Sequence, residues 1–215
     1  DNLSPGSEGA VDFKMKFLRK RAAINEEIYF YLDASYDIDG SSARYMAKSS
    51  KIKILSNVDF KSNGYYYSPQ GDQLGVGPLP PTVDMQTNYW VFWEIDNFGN
   101  DLGDVSVTAQ LPENAVWTGN KSLISGNLRY GEIGRRVIWT VNDISKAGGN
   151  YRAGFEVGLI PAQSDVGETL KILADIKFSA YDKFCGKEIV KTNIKNITTN
   201  LETDKLASGK GKVAP

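Results

Sequence analysis

The sequence has no histidine and one cysteine, Cys185, in 215 residues. Without histidine there is no Ser-His-Asp triad, no Cys-His pair and no His-ligated zinc. A lone cysteine makes no intrachain disulfide and no thiolate cluster. With no imidazole to activate it, Cys185 reads as a packed or turn residue. An excess of charge of one sign is missing too. The 25 Lys and Arg stand against 26 Asp and Glu, for a formal net charge of −1, so composition carries no footprint of a nucleic-acid or membrane binder. No run approaches the ~18 apolar residues of a spanning helix, and no stretch holds a convincing helical period. Acidic residues are plentiful enough for a glycosidase-type carboxylate pair, but they occur singly along strands and in turns. The expectation is a protein that is not an enzyme and has no cofactor.

What is present is alternation with period two. Residues 87 to 97, TNYWVFWEIDN, put Tyr89, Val91, Trp93 and Ile95 on one face. Val105, Val107, Ala109 and Leu111 do the same, as do Val137, Trp139 and Val141, and then Phe155, Val157 and Leu159. In the longest run, 168 to 181, the inward set is Leu170, Ile172, Ala174, Ile176, Phe178 and Ala180. A last strand covers roughly 186 to 199. Gly-, Asn- and Pro-rich turns separate these runs. The fold class is therefore all-β, an antiparallel Ig-like β-sandwich. Trp93, Trp117 and Trp139 are expected in its core, with Phe155 and Phe178. Trp90 and Phe92 share the opposite face of their strand, which leaves them for an interdomain or intersubunit contact or, more sharply, for a sugar-stacking platform.

Sliding the sequence by 142 positions, Phe13 onto Phe155, reveals an internal repeat. AVDFKMKFL (10 to 18) falls on RAGFEVGLI (152 to 160), and IYFYLDASYDI (28 to 38) falls on LKILADIKFSA (170 to 180) with the same apolar phase. Residues 1 to 60 then correspond to the second half of the later domain. The expected organisation is the C-terminal half of an Ig-like module at 1–74, a stiff Pro-rich linker at 75–83, a complete sandwich at 84–204 and a flexible tail at 205–215. The strands missing from the first unit would come from a partner protein, an upstream fragment or a neighbouring copy. Val11, Phe13, Met15 and Phe17 would line that interface along with Trp90 and Phe92.

The stretch GVGPLPPTVDMQTNYWVFWEIDNFGNDLGDVSVTAQLPENAVWTG, residues 75 to 119, resembles a pattern of exported, multi-domain Ig-like surface proteins of candidate-phyla (Patescibacteria-like) bacteria, of the conserved-repeat type. The matching positions run from Gly77 to Pro81 and include Val83, Tyr89, Trp93, Asn97, Asn100, Asp101, Leu111, Pro112 and Trp117. RRVIWTVNDISKAGG and the opening LSPGSEGAVDFKMK also fit. Asp84 departs from the pattern, which has glycine there, and the C-terminal tail has no counterpart. The resemblance implies an Ig-like fold and an extracellular or cell-surface setting, and no known chemistry. The function expected is a structural module of a surface assembly, with an adhesin-like or carbohydrate-binding module using exposed aromatics as the alternative.

Two turns could gather oxygen ligands for calcium: Asp37 and Asp39 in DIDGSS, and Asp96, Asp101 and Asp104 in DNFGNDLGD. Asp and Asn build turns without any metal, so calcium is only a weak expectation. LPPTV at 79 to 83 has the outline of a sortase signal but lacks its final glycine and a following apolar tail. A pilin-type Lys–Asn isopeptide needs a lysine on the first strand, and 87 to 97 has none. Sequons stand at Asn2, Asn120 and Asn196.

Overall fold

The computed structural model describes residues 24–215 apart from 39 and 147, together with Glu8, Ala10, Asp12 and Lys14. In chain order the strands are β1 (Glu27–Ile28), β2 (Tyr31–Ile38), β3 (Ser41–Lys48), β4 (Ile52–Lys53), β5 (Val58–Tyr65), β6 (Thr87–Asn97) and β7 (Leu102–Gln110). They continue as β8 (Ala115–Leu123), β9 (Asn127–Gly131), β10 (Arg136–Ile144), β11 (Tyr151–Leu159), β12 (Lys171–Asp182), β13 (Lys187–Lys191) and β14 (Ile197–Thr198). One 3-10 turn, Gln163–Asp165, interrupts them. Two antiparallel sheets, ordered β13-β12-β7-β10-β9 and β5-β6-β11-β8, form the Ig-like sandwich, and β14 pairs onto β12. β1 pairs with β4, and β2 with β3, as separate two-stranded ribbons.

The period-two reading places the core. Tyr89, Val91, Trp93 and Ile95 are buried, and so are Val105, Val107, Ala109, Leu111, Val137, Trp139, Val141, Phe155, Val157 and Leu159. Trp93 is fully buried at the centre, 4.9 Å from Phe155 edge-to-face and 6.5 Å from Trp139. The two indole N–H groups are satisfied, Trp93 Nε1 donating to Ser62 Oγ and Trp139 Nε1 to the Ser125 carbonyl, each at 2.9 Å. Large rings with partnered polar handles suit such a core. Trp117 is only half-buried, because β8 is an edge strand. Its ring stacks on Tyr130 at 5.5 Å, joining the edges of the two sheets.

In β12 the alternation breaks. The register with β7 shifts between Ala174 and Lys177, and Asp175 takes φ +51°, a bulge that re-aims the strand. Leu173 is therefore buried as well as Ile172 and pairs with Ile197 of β14, while Ala174 is only half-buried.

The expected domain boundaries need correction. β5 belongs to the sandwich: it pairs with β6 from Val58–Asn97 to Tyr65–Trp90. The complete unit therefore begins near residue 58, because the inward face of β5 buries Val58 and packs Phe60 against the core. The Pro-rich segment is no linker between units. Val76 bridges Asn88, Tyr66 Oη donates to the Gly77 carbonyl at 2.6 Å, and Thr87 Oγ1 donates to the Pro78 carbonyl at 2.8 Å. The tail is ordered against the same edge. Val213 and Ala207 are buried, Val213 N donates to the Glu168 carbonyl, and Ala214 N donates to the Pro81 carbonyl. Packing and backbone pairing override the small, basic composition of 205–215.

Asp84 stands where the pattern that residues 75 to 119 resemble has glycine. It sits at φ +58°, a left-handed conformation that glycine adopts freely and that Asp tolerates better than most residues.

Candidate functional site

The chain presents two unusual surfaces, one at the amino-terminal ribbon and one on the outer face of a sheet. Directly opposed residues of an antiparallel pair share a face. On one face of the β2–β3 hairpin the pairs are Leu32–Ala47, Ala34–Tyr45 and Tyr36–Ala43. On the other they are Tyr31–Lys48, Asp33–Met46, Ser35–Arg44 and Asp37–Ser42. The first face is apolar apart from Ser41, which stands opposite Ile38 at its end, and Leu32, Tyr36 and Tyr45 are 51%, 47% and 56% exposed. The second face is mixed: it carries the Asp33–Arg44 ion pair together with Tyr31 and Met46, 68% and 65% exposed. The repeat aligns Ala34 and Tyr36 with Ile176 and Phe178 of β12, which face the core, and Leu32 with the half-buried Ala174, whereas in the hairpin Leu32 and Tyr36 stay about half exposed.

A buried carboxylate fastens this ribbon to the sandwich. Asp182 closes β12 and has no exposure. Its Oδ2 accepts from Ser56 N at 2.9 Å, Ser56 Oγ at 2.7 Å and Asn100 Nδ2 at 2.9 Å. Its Oδ1 accepts from Phe184 N at 3.0 Å and Cys185 N at 2.8 Å. Asn100 extends the clip: its Oδ1 accepts from Asn25 N at 2.7 Å, and its Nδ2 donates to the Ile54 carbonyl at 3.0 Å. Burial alone would raise the Asp182 pKa, but the bonds from Cys185 N, Ser56 and Asn100 outweigh it and hold the carboxyl below its ordinary value. The carboxylate is thus charged at neutral pH and grips both arms of the ribbon.

Cys185 belongs to this joint. Its thiol donates to the Ile54 carbonyl at 3.2 Å. Burial, and then the Asp182 charge, push its pKa up, so it is a thiol at neutral pH and a poor nucleophile.

The second surface lies on the outward side of the β5-β6-β11-β8 sheet. Trp90 and Phe92, both half-buried, stack with centroids 5.8 Å apart and planes 18° apart. Tyr65 on β5 adds a third ring, 6.0 Å from Phe92. The joint with the ribbon lies at the far end of β6, beside Asn97 and Asn100, so these aromatics do not sit at that junction. Beside them on β11 runs Gly154-Phe155-Glu156-Val157-Gly158, whose outward positions pair with Phe92, Trp90 and Asn88. The Phe92 ring occupies the space over Gly154; a Cβ there would stand 2.6 Å from its Cε1. Glu156 is 5% exposed, and its Oε2 accepts from Asn120 Nδ2 at 2.8 Å.

The acidic turn residues do not converge. Asp37 accepts from Ser42 Oγ, Asp96 pairs with Lys61 at 2.9 Å, and Asp101 Oδ1 accepts from Lys146 N at 2.7 Å. Asp104 and Asp101 instead act on the Lys183 ammonium, which is paired with Asp143. Among the described residues no three His, Cys, Asp or Glu gather for a metal ion. Asp39 lies outside the described residues, as do Val11, Phe13, Met15 and Phe17. The first strand of the sandwich is β5, which does carry a lysine, Lys61, but it points outward to Asp96 and Asp59.

Sequence reasoning missed the joint altogether. Asp182, Asn100 and Ser56 carry no motif in one dimension; the β12–β7 pairing brings Asp182 to the turn that holds Asn100, and the β5–β6 pairing brings Ser56 to it. No helix among the described residues is long and apolar enough to cross a membrane.

No protein-family model matches the chain, and no curated protein sequence does. Among solved structures it is similar to the D312A form of BcpA, the major pilin subunit of Bacillus cereus, with 17% identity and a TM-score of 0.41 over 76% of this chain. The chain spans 50% of that pilin's length. It is also similar to the chitin-binding domain of a hyperthermophilic Pyrococcus furiosus chitinase, with 17% identity and a TM-score of 0.30 over 66% of this chain and 98% of that one. The sandwich assignment rests on the strand pairing itself.

Proposed function

We propose that the chain is a non-enzymatic structural module of an extracellular or cell-surface assembly, with the sandwich as its rigid body and the β2–β3 hairpin as its docking element. The observation that carries this is an apolar hairpin face held out from the sandwich by a buried, fully bonded joint. A two-stranded ribbon is marginal in water by itself. Each large apolar residue that stays exposed forgoes about 1.5 to 3 kcal/mol of burial. Both strands also have an edge unpaired among the described residues, which suits strand addition by another polypeptide. The partner in this reading is a protein, either an upstream fragment or a neighbouring copy. A Tyr pair and a Leu beside small Ala residues form a row that a neighbouring strand's side chains can interleave.

The extracellular setting is supported by the resemblance in residues 75 to 119. The non-enzymatic reading is supported by the lack of histidine and by a thiol held protonated. Cross-linking with mass spectrometry on the native assembly tests the docking. Links from Lys48 or Lys51 to another polypeptide, reduced in a Tyr36→Asp, Tyr45→Asp double variant, are the expected result. Strictly intramolecular links in a particle of monomer mass overturn it.

A further inference from the structure

We infer that the outer face of the β5-β6-β11-β8 sheet binds a neutral polysaccharide, with Tyr65, Trp90 and Phe92 stacking against its pyranose rings. This site is separate from the hairpin and stands or falls independently of the docking proposal.

The core does not need these rings. The opposite side of β6 already fills the sandwich with Tyr89, Val91, Trp93 and Ile95. Three aromatic rings within 6.0 Å of their neighbours, on the solvent side of a regular sheet, are a cluster that folding alone leaves unexplained. The strand next to them is shaped around them. Gly154 carries no side chain where Phe92 lies, and at Gly158 a Cβ would meet Gln86 Nε2 at 2.7 Å. The two glycines flank Glu156 and leave room for the Phe92 ring and the Gln86 side chain to lie against β11, so Phe92 is laid along the sheet rather than standing isolated.

The polar groups nearby are the kind that read hydroxyls. Glu156 pairs with Trp90 across the strands, is almost fully buried, and is fixed by Asn120. Asn63 lies opposite Phe92 on the other side. A pyranose offers apolar C–H faces for aromatic rings and equatorial hydroxyls for amides and carboxylates. A few fixed polar groups set in an apolar surface make a recognition site of that type.

Charge selects the neutral class. The cations on this face, Lys61 and Arg152, sit toward the far end of β6 and are committed to Asp96 at 2.9 Å and Glu94 at 2.7 Å. The polar group next to Trp90 is a carboxylate. A sulfated or phosphorylated chain would meet repulsion there and find no uncommitted cation among these residues.

Co-sedimentation of the full chain with insoluble cellulose, chitin and β-1,3-glucan, and affinity electrophoresis in soluble neutral glucans and mannans, test the site. The chain should be retained by at least one of these. Trp90→Ala and Tyr65→Ala should each weaken retention by about tenfold, the range of an aromatic anchor. Heparin should not retain it. Near-UV circular dichroism reports on Trp93 and Trp139 and shows that each variant keeps its core. Tyr36→Asp, on the hairpin, should leave retention unchanged. Absence of retention by the whole panel, or retention that survives the Trp90→Ala, Tyr65→Ala double variant, overturns the inference. So does a protein cross-linked at this face from the native assembly with no polysaccharide retention.

Discussion

The sandwich and the β2–β3 hairpin are built from the same alternating code and meet opposite fates. In β6 the residues Tyr89, Val91, Trp93 and Ile95 face a second sheet and lose all contact with water. In β2 the residues Leu32, Ala34 and Tyr36 follow the same alternation, and Leu32 and Tyr36 stay about half exposed. Local pattern decides which side of a strand is apolar. A second layer decides whether that side is a core or a surface. The comparison explains why a repeat in sequence does not imply a repeat in structure. β12 and β2 each begin an antiparallel hairpin, but only β12 also has β7 beside it and the opposite sheet across from it.

The largest effect expected from breaking this contrast is in the sandwich. Trp93→Ala removes a fully buried indole packed on Phe155 and Trp139 and strands Ser62 Oγ. It should cost about 3 to 5 kcal/mol in chemical denaturation. A cost below about 1 kcal/mol would show that the core is not centred there.

The next effect is at the joint. Asp182→Ala leaves Ser56, Phe184 and Cys185 without this acceptor and Asn100 Nδ2 with the Ile54 carbonyl as its remaining oxygen acceptor, a loss of about 3 kcal/mol for a buried charge that several donors share. Amide exchange at Ser56 and Asn25 should accelerate in that variant while β6 stays protected. The pH dependence follows from the lowered pKa. The unfolded carboxyl titrates near 3.9, so the contribution of Asp182 is complete above that value and is lost as pH falls through the still lower folded pKa. The stability gap between wild type and Asp182→Asn should be constant at neutral pH and narrow only in strong acid. A gap that narrows near pH 6, about two units above that unfolded value, would contradict the shift.

How much of this was legible follows from the same physics. The core strands were readable because Trp93, Trp139 and Phe155 alternate with polar residues over whole strands. β5 was misassigned to the first unit because its inward face carries Ser62 and Gly64, a weak apolar signal, and Gly64 is there because β14 packs on it: a Cβ would meet Ile197 Cγ2 at 2.5 Å. Trp117 marks β8, but β9 carries no such signal, an edge strand with little to bury beyond Leu128. The tail was misread because its order comes from pairing with Glu168 and Pro81, distant in sequence. Of the candidate surfaces, the exposure of Trp90 and Phe92 could be read from strand phase, but the third ring, Tyr65, could not, since it needs the β5–β6 register. Nothing in one dimension marks Asp182 as a hub.

A smaller effect is expected at Gly154. Gly154→Ala places a methyl group 2.6 Å from Phe92 Cε1. The ring must swing off the strand, at a cost of about 1 to 3 kcal/mol for an overpacked contact. Fluorescence of Trp90, stacked on Phe92, should change with it. An unchanged emission spectrum would mean that the two rings are not coupled.

The smallest effect on stability should come from the hairpin, and that is what makes it informative. Tyr36 and Tyr45 lie on the apolar face, and no ring contact joins either of them to another aromatic among the described residues. The joint that holds the ribbon runs through Asn25, Ile54 and Ser56, below the hairpin proper. Replacing both tyrosines with Asp removes no core contact, so the sandwich should unfold within about 0.5 kcal/mol of wild type. The same variant should lose any contact with a partner, because two carboxylates on a docking face are costly to desolvate. Matched denaturation and cross-linking of this one variant therefore separate the two roles. If the melt falls by several kcal/mol, the hairpin is packed within its own chain and the contrast between the two regions fails. If the melt holds while links to the partner vanish, the apolar face is the part of the molecule that meets its neighbour.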